Sequence, residues 1–264
     1  MKSPLSLSSV MSFIYLACLA LFIAAPMLVI VVFSFDANRF PTLPWGGFSI
    51  EWHKAALNDP MIIAALRNSA IVGFGTATLA TILGFCAAYL DYRYHFFGKR
   101  AMMIAVAIPP AVPVAILGMA MLAFLSRTPI FGSPTAIIVS HTVIASSFAM
   151  ALIRLRLTEL GPDLEQAAWN LGASRAQAIR LIVLPFCRPS IMAAFFLSAA
   201  VSFDEFMVAW FVGGVHETLP VRILNMLQGQ VNPKINAIGT VVLAISLTLV
   251  LIAQRLARTG KETR

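Results

Sequence analysis

Stretches without a single charged residue recur along the chain, and their lengths predict its elements. Between Lys2 and Asp36 lie 33 uncharged residues, between Arg67 and Asp91 there are 23, and between Arg100 and Arg127 and again between Arg127 and Arg154 there are 26. A fifth stretch runs 15 residues from Arg188 to Asp204 and resumes after Glu205 through Val215; a sixth runs 20 from Lys234 to Arg255. A bilayer core about 30 Å thick needs roughly 20 apolar residues of helix. The pattern therefore predicts an all-α membrane protein of six transmembrane helices, near 10–33, 68–90, 101–125, 135–154, 189–212 and 235–254, in one domain over 1–264. Two features depart from plain spans: the carboxylate pair Asp204–Glu205 inside the fifth, and the polar stretch 155–188 before it.

Composition removes the competing classes. Of 264 residues, 59% are hydrophobic and only 11% charged, whereas a soluble domain carries roughly a quarter charged residues. An ordinary globular enzyme is excluded, and so is a disordered chain, which lacks hydrophobic residues. The net charge of +8 fits nucleic acid, an anionic surface or membrane topology until its distribution is known. Thirteen of the 19 Lys and Arg fall on one side of the spans: Lys2, the 93–100 loop, the 154–188 stretch, and the tail from Arg255 to Arg264, Lys261 included. That side nets +8 and the other nets zero. The basic side is the cytoplasmic one, with both termini on it, and no nucleic-acid partner is needed. The uncharged N-terminal stretch is too long for a secretory signal and reads as span one. Cys18, Cys86 and Cys187 offer no bridge-competent pair.

Two loops are long. On the outer side, 36–66 holds FPTLPWGGFS and then IEWHKAAL, a turn cluster leading into a short helix with Trp45 and Trp52 at membrane-surface depth; the alternative is contact with a partner outside. On the inner side, Gly161-Pro162 followed by Asp163 and Glu165 starts a helix. Leu164, Ala167, Ala168 and Leu171 give it one apolar face, and Gly172 stops it. Ser174 with Gln177 opens a second helix, carrying Ile179, Ile182 and Val183, which Pro185 and Pro189 close before span five. The result is a helical hairpin over 159–185. A DNA-reading helix so closely tethered between spans could not enter a major groove. Lipid anchoring favours bulkier residues than Ala167 and Ala168, so docking to another protein is the better reading.

The string QAAWNLGASRAQAIRLIVLP resembles the cytoplasmic signature of ATP-binding cassette (ABC) importer permeases: Glu-Ala-Ala, a Gly six residues after the Glu, and an Ile-x-Leu-Pro ending. Ala167, Ala168, Gly172, Ile182, Leu184 and Pro185 match; Gln166 stands where the family has Glu, with Glu165 one residue earlier. RNSAIVG, YRYHFFGKR, SFDEF and TLPVRI resemble the spermidine/putrescine branch. The resemblance implies a permease subunit paired with a second, related permease as a heterodimer. It also implies a dimer of cytoplasmic ABC ATPases that binds ATP and Mg, and a periplasmic or extracellular substrate-binding protein. The hairpin would be the coupling helix, with Glu165, Gln166, Ala167, Ala168, Leu171, Gly172, Ile182, Leu184 and Pro185 meeting the ATPase. Independently, neither Gly-Lys pair, at 98–99 or 260–261, has the upstream Gly of a phosphate-cradling loop. No cofactor is expected in this chain, which reads as a transport subunit rather than an enzyme.

Asp204 and Glu205 are candidates for the substrate path, because a carboxylate at depth faces water or a partner. Asp204 is preferred by the resemblance; the alternative puts both near the outer interface, solvated or paired with Arg222. IPPAVP removes amide donors at Pro109, Pro110 and Pro113 in span three and predicts a kink or unwound turn, either a path-lining gate with Pro110 and Pro113 or a static packing kink. His141 reads as an interhelical hydrogen-bonding group and Gly73, Gly75 and Gly84 as packing glycines. No metal-ligand or nucleophile-base set lies at span depth. A stand-alone secondary transporter or channel, its hairpin lying on lipid, is the competing functional reading.

Overall fold

The computed structural model describes residues 7–40, 42–229 and 233–262, without the side chains of Leu7, Ser9, Pro162 and 259–262. Lys2, Arg264 and the Lys261 side chain, all counted toward the basic face, lie outside what is described. Among the described residues the regular elements are helical, in the order α1 (Leu7–Ser34), α2 (Glu51–Leu57), α3 (Pro60–Arg93), α4 (Lys99–Ala107), α5 (Val114–Leu125), α6 (Pro134–Leu157), α7 (Pro162–Asn170), α8 (Arg175–Ala178), α9 (Leu184–Asp204), α10 (Met207–Val212), α11 (Leu219–Gln228) and α12 (Lys234–Glu262).

Among the described residues, five helical stretches are long and apolar enough to cross a membrane: Val10–Ser34, Pro60–Arg93, Pro134–Leu157, Arg175–Asp204 and Lys234–Arg258. The third predicted span is divided. α4 stops at Ala107, Pro109–Ala111 form one 3₁₀ turn, Val112 is extended, and α5 starts after Pro113. The cause is chemical: Pro110 has no N–H to return to the Val106 carbonyl four residues earlier. The Ser147 hydroxyl of α6 donates to that oxygen instead, at 2.5 Å. A break at membrane depth is tolerated when a neighbouring helix satisfies the freed group in this way.

Two further boundaries differ from the sequence reading. Pro185 and Pro189 do not close the second hairpin helix. A π-helical turn at Ile179–Val183 joins α8 to α9, and its wider register puts Pro185 in the first turn of α9, where a missing amide donor matters least. Span five is interrupted at Glu205–Phe206, so that α9 ends on Asp204 and α10 follows as a separate short helix.

The chain divides into two compact units, residues 1–60 with 225–241, and residues 61–224 with 242–264. In the first, none of the residues in the apolar window of α1 is buried. The loop after α1 is organised by Asp36, 1% exposed, whose Oδ1 accepts the amides of Asn38 at 3.0 Å and Gly46 at 2.9 Å. Trp52 of α2 donates its ring N–H to the Asp36 carbonyl at 3.1 Å, and Phe35 stacks on Phe48 and on His53. Burial pushes the His53 imidazole below its ordinary pKa, so it is neutral at pH 7.

The second unit is built around α6, which packs most extensively on α9. Ala145 and Ala149 of α6 and Ala193, Ala194 and Ala199 of α9 are buried, and residues this small let two backbones approach closely. One core cluster joins Val72, Leu117, Ile137, Ile144, Val208 and Val212; another, toward the hairpin, joins Ala88, Met150, Ile153, Leu157, Val183 and Cys187. His141 Nδ1 lies 2.9 Å from Ser202 Oγ, an α6–α9 hydrogen bond in a fully buried position.

Gly84 is where α3 meets α6. A Cβ there would lie 2.7 Å from both Ala149 Cβ and the Met150 amide nitrogen, whereas Gly73 has nothing closer than 3.9 Å. Because one obstacle is backbone, no rotamer change relieves it. Gly84→Val is expected to destabilise the protein by about 1–3 kcal/mol, read as a lower unfolding temperature in detergent. Gly161→Ala, whose Cβ would meet nothing within 4 Å, should leave that temperature unchanged; equal effects of the two would remove packing as the cause.

Candidate functional site

The hairpin between α6 and α9 is assembled largely from local interactions. Gly161-Pro162 opens α7 with Asp163 and Glu165 in its first turn. At its end the Gly172 amide bonds the Trp169 carbonyl at 2.9 Å and the Ala173 amide bonds the Ala168 carbonyl at 2.9 Å. This paired closure requires the left-handed residue Gly172 supplies, at φ 86°. Two residues later a capping box begins α8: Ser174 Oγ accepts the Gln177 amide at 3.3 Å, and Gln177 Oε1 accepts the Ser174 amide at 2.7 Å.

Tertiary contacts then choose which face of α7 turns inward. Glu165 is 1% exposed. Its Oε2 accepts the Tyr89 hydroxyl at 3.2 Å and lies 3.7 Å from Arg93 Nε, while the Arg93 guanidinium sits 4.4 Å from the centre of the Trp169 ring. Tyr92 donates to the Leu160 carbonyl at 3.3 Å. The C-terminal end of α3 therefore grips α7 through Tyr89, Tyr92 and Arg93. These residues and Trp169 were not among the sequence candidates, although the i, i+3, i+4 spacing of Tyr89, Tyr92 and Arg93 places them on one helix face. Leu164 (52% exposed), Gln166, Ala167 and Leu171 (90% exposed) point the other way, with Ala168 half-buried between the two faces. Of the remaining coupling candidates, Gly172, Leu184 and Pro185 are exposed and Ile182 is half-buried.

Ion pairs fix the neighbouring helix ends. Arg154 meets Asp91 at 2.5 Å and Lys99 meets the same carboxylate at 3.2 Å; Arg156 pairs with Glu159 at 2.5 Å and lies over the Phe186 ring. Thus two of the hairpin's flanking cations are paired within the chain.

At the other candidate site the two carboxylates separate in role. Glu205, in the break between α9 and α10, accepts the Val208 amide on its Oε1 at 3.1 Å and so caps α10. Asp204, the last residue of α9, is exposed and accepts the Ser246 hydroxyl of α12. Neither pairs with Arg222, whose carboxylate partner is Glu217 at 3.5 Å. Pro110 and Pro113 are both exposed at the break in the third predicted span. Among the described residues no three of His, Cys, Asp and Glu converge to hold a metal ion.

Comparison with known proteins gives this geometry its context. The profile of the family described as binding-protein-dependent transport system inner membrane component matches residues 80–259. The spermidine/putrescine transport system permease protein PotC of Haemophilus influenzae is 32% identical over 234 residues, covering 88% of this chain and 91% of that protein. The putrescine transport system permease protein PotI of Escherichia coli K12 is 30% identical over 250 residues, covering 91% and 89%. The fold is similar to a solved bacterial ABC transporter that imports the acidic polysaccharide alginate, with a TM-score of 0.70 over the whole of both chains at 15% identity. With two-thirds of its length inside the family profile and relatives aligned nearly end to end, the chain belongs to the binding-protein-dependent transport system inner membrane components, the permease subunits of ABC importers.

Proposed function

We propose that the chain is the permease subunit of an importer in the bacterial cytoplasmic (inner) membrane that carries polyamines or related small organic cations inward by ATP-driven alternating access. It acts as one permease domain of six spans with both termini in the cytoplasm, the broken α4–α5 segment being the third. The 9 and 12 α-helical residues of that segment supply about 31 Å of helix at about 1.5 Å per residue, matching hydrocarbon about 30 Å thick. A second, related permease completes a heterodimer, and a substrate-binding protein delivers cargo from outside. A dimer of cytoplasmic ABC ATPases binds ATP and Mg and meets the hairpin over 159–185.

The observation that carries this reading is the orientation of α7. It holds its carboxylate Glu165 inward and turns apolar Leu164, Ala167 and Leu171 outward. An apolar face on an otherwise polar loop calls for a partner. Gln166 stands beside it, so contact with the ATPase at that position is a hydrogen bond rather than a salt bridge. Polyamines are supported by what the two bacterial relatives are named for and by Asp204 as an open carboxylate at the end of α9.

Gly172→Val tests the coupling role. A β-branched residue at φ 86° costs roughly 1–2 kcal/mol and opens the turn between α7 and α8. The ATPase is expected to be lost on co-purification while the second permease is retained. Undiminished ATPase recovery would overturn the role of the hairpin. Uptake by the isolated chain in ATP-free vesicles would replace the whole reading with a stand-alone transporter.

A further inference from the structure

A cavity of about 180 Å³ opens among the cytoplasmic ends of α6, α9 and α12, lined by Leu152, Leu155, Arg156, Glu159, Ser190, Gln254, Ala257 and Arg258. It is smaller than the roughly 300–1,000 Å³ pockets that enclose drug-sized ligands. Its polar groups divide sharply. Glu159 is neutralised by Arg156 at 2.5 Å, and Arg156 Nε is occupied by the Phe186 carbonyl at 3.3 Å. Arg258 and the Gln254 amide, both exposed, and the Ser190 hydroxyl on a buried residue have, by contrast, no hydrogen-bond or ion-pair partner among the described residues. Three sets of unused donors, one of them on an unneutralised cation, therefore converge on one small space. Along α6 and the turn just past its end the lining passes from apolar Leu152 and Leu155 to charged Arg156 and Glu159, the gradient found where a span leaves hydrocarbon for headgroups.

We propose that this cavity binds the phosphodiester of an anionic phospholipid headgroup, with Arg258 supplying the charge, Gln254 and Ser190 the hydrogen bonds, and Leu152, Leu155 and Ala257 the start of the acyl path. An acceptor-only anion satisfies every unused donor, and basic pockets between spans on the cytoplasmic side attract anionic lipid. The proposal rests on the topology given above, which puts α12's basic end in the cytoplasm.

The test uses the chain co-purified with its partner subunits in phosphatidylcholine nanodiscs with and without phosphatidylglycerol, comparing the unmodified protein with Arg258→Ala and Gln254→Leu by native mass spectrometry. Phosphatidylglycerol should remain on the unmodified complex through detergent exchange, and its retention should fall about fivefold in Arg258→Ala. Equal unfolding temperatures in phosphatidylcholine alone would establish that the variants are folded. Equal retention by all three proteins overturns the proposal, as does displacement of the lipid by millimolar inorganic phosphate, which marks a free-anion site. A separate arm checks the topology: Ala257→Cys, with the native cysteines replaced by Ala, should react with an impermeant maleimide only in inside-out vesicles. Labelling only from the outer side would overturn the topology, whatever the lipid measurement reads.

Discussion

Asp204→Asn is expected to weaken polyamine uptake about 10- to 150-fold in apparent affinity, the equivalent of the 1.5–3 kcal/mol that a hydrogen bond to a charged group contributes. The substitution keeps the shape and one acceptor oxygen, so the Ser246 contact survives and the change isolates the charge. Asp204→Glu, retaining the charge on a longer arm, should lose less. Glu205→Gln provides the contrast: its remaining carbonyl oxygen can still accept the Val208 amide, leaving uptake close to normal. Glu205→Ala removes the cap and costs about 1 kcal/mol of local stability without a specific loss of affinity. The measurement is uptake of labelled spermidine into vesicles containing the whole transporter at saturating binding protein. An unchanged apparent affinity in Asp204→Asn would remove Asp204 from the path; equal losses in Asp204→Asn and Glu205→Gln would show that the helix break, not the open carboxylate, is what matters.

Glu165→Ala should uncouple the transporter. The carboxylate is buried and meets Tyr89 and Arg93 at once, so its removal leaves a hydroxyl and a guanidinium without their acceptor at a cost of about 1–3 kcal/mol. That cost falls on the junction between α3 and α7 rather than on the exposed face formed by Leu164, Ala167 and Leu171. The ATPase should therefore still co-purify and hydrolyse ATP, while the amount of substrate moved per ATP falls at least about tenfold, as expected from the loss of roughly 1.4 kcal/mol in the coupled state. Glu165→Gln retains an acceptor for Tyr89 but not the ion pair, and is expected to fall between. In a double-mutant cycle, Tyr89→Phe should add little to Glu165→Ala, because both remove the same contact. A transport-to-hydrolysis ratio unchanged in Glu165→Ala, with the protein folded, refutes this linkage.

These two outcomes mark different distances between sequence and structure. The end of the first hairpin helix and the start of the second were legible because their signals close within a few residues. The Gly172 turn and the Ser174–Gln177 box are each satisfied by backbone and side chains at most five positions away. The break at IPPAVP was legible for the same reason, since a proline removes its own donor whatever surrounds it. How far Pro185 disturbs its helix was not, because the π-helical turn preceding it alters the register. Equally hidden was the rescue of the Val106 carbonyl by Ser147, a residue 41 positions on in another helix.

By itself, then, the sequence determined a polytopic helical chain, the basic bias that gives it an expected orientation, and the turn from the first hairpin helix into the second, because hydropathy, charge and capping act locally or sum along the chain. Tertiary structure alone decided that Glu165 faces inward while its neighbour Gln166 faces out, and that Asp204 meets Ser246, 42 positions away in α12. Adjacent residues on a helix point about 100° apart, so their roles turn on which side a distant partner occupies. For Glu165 that partner is Tyr89, 76 positions away.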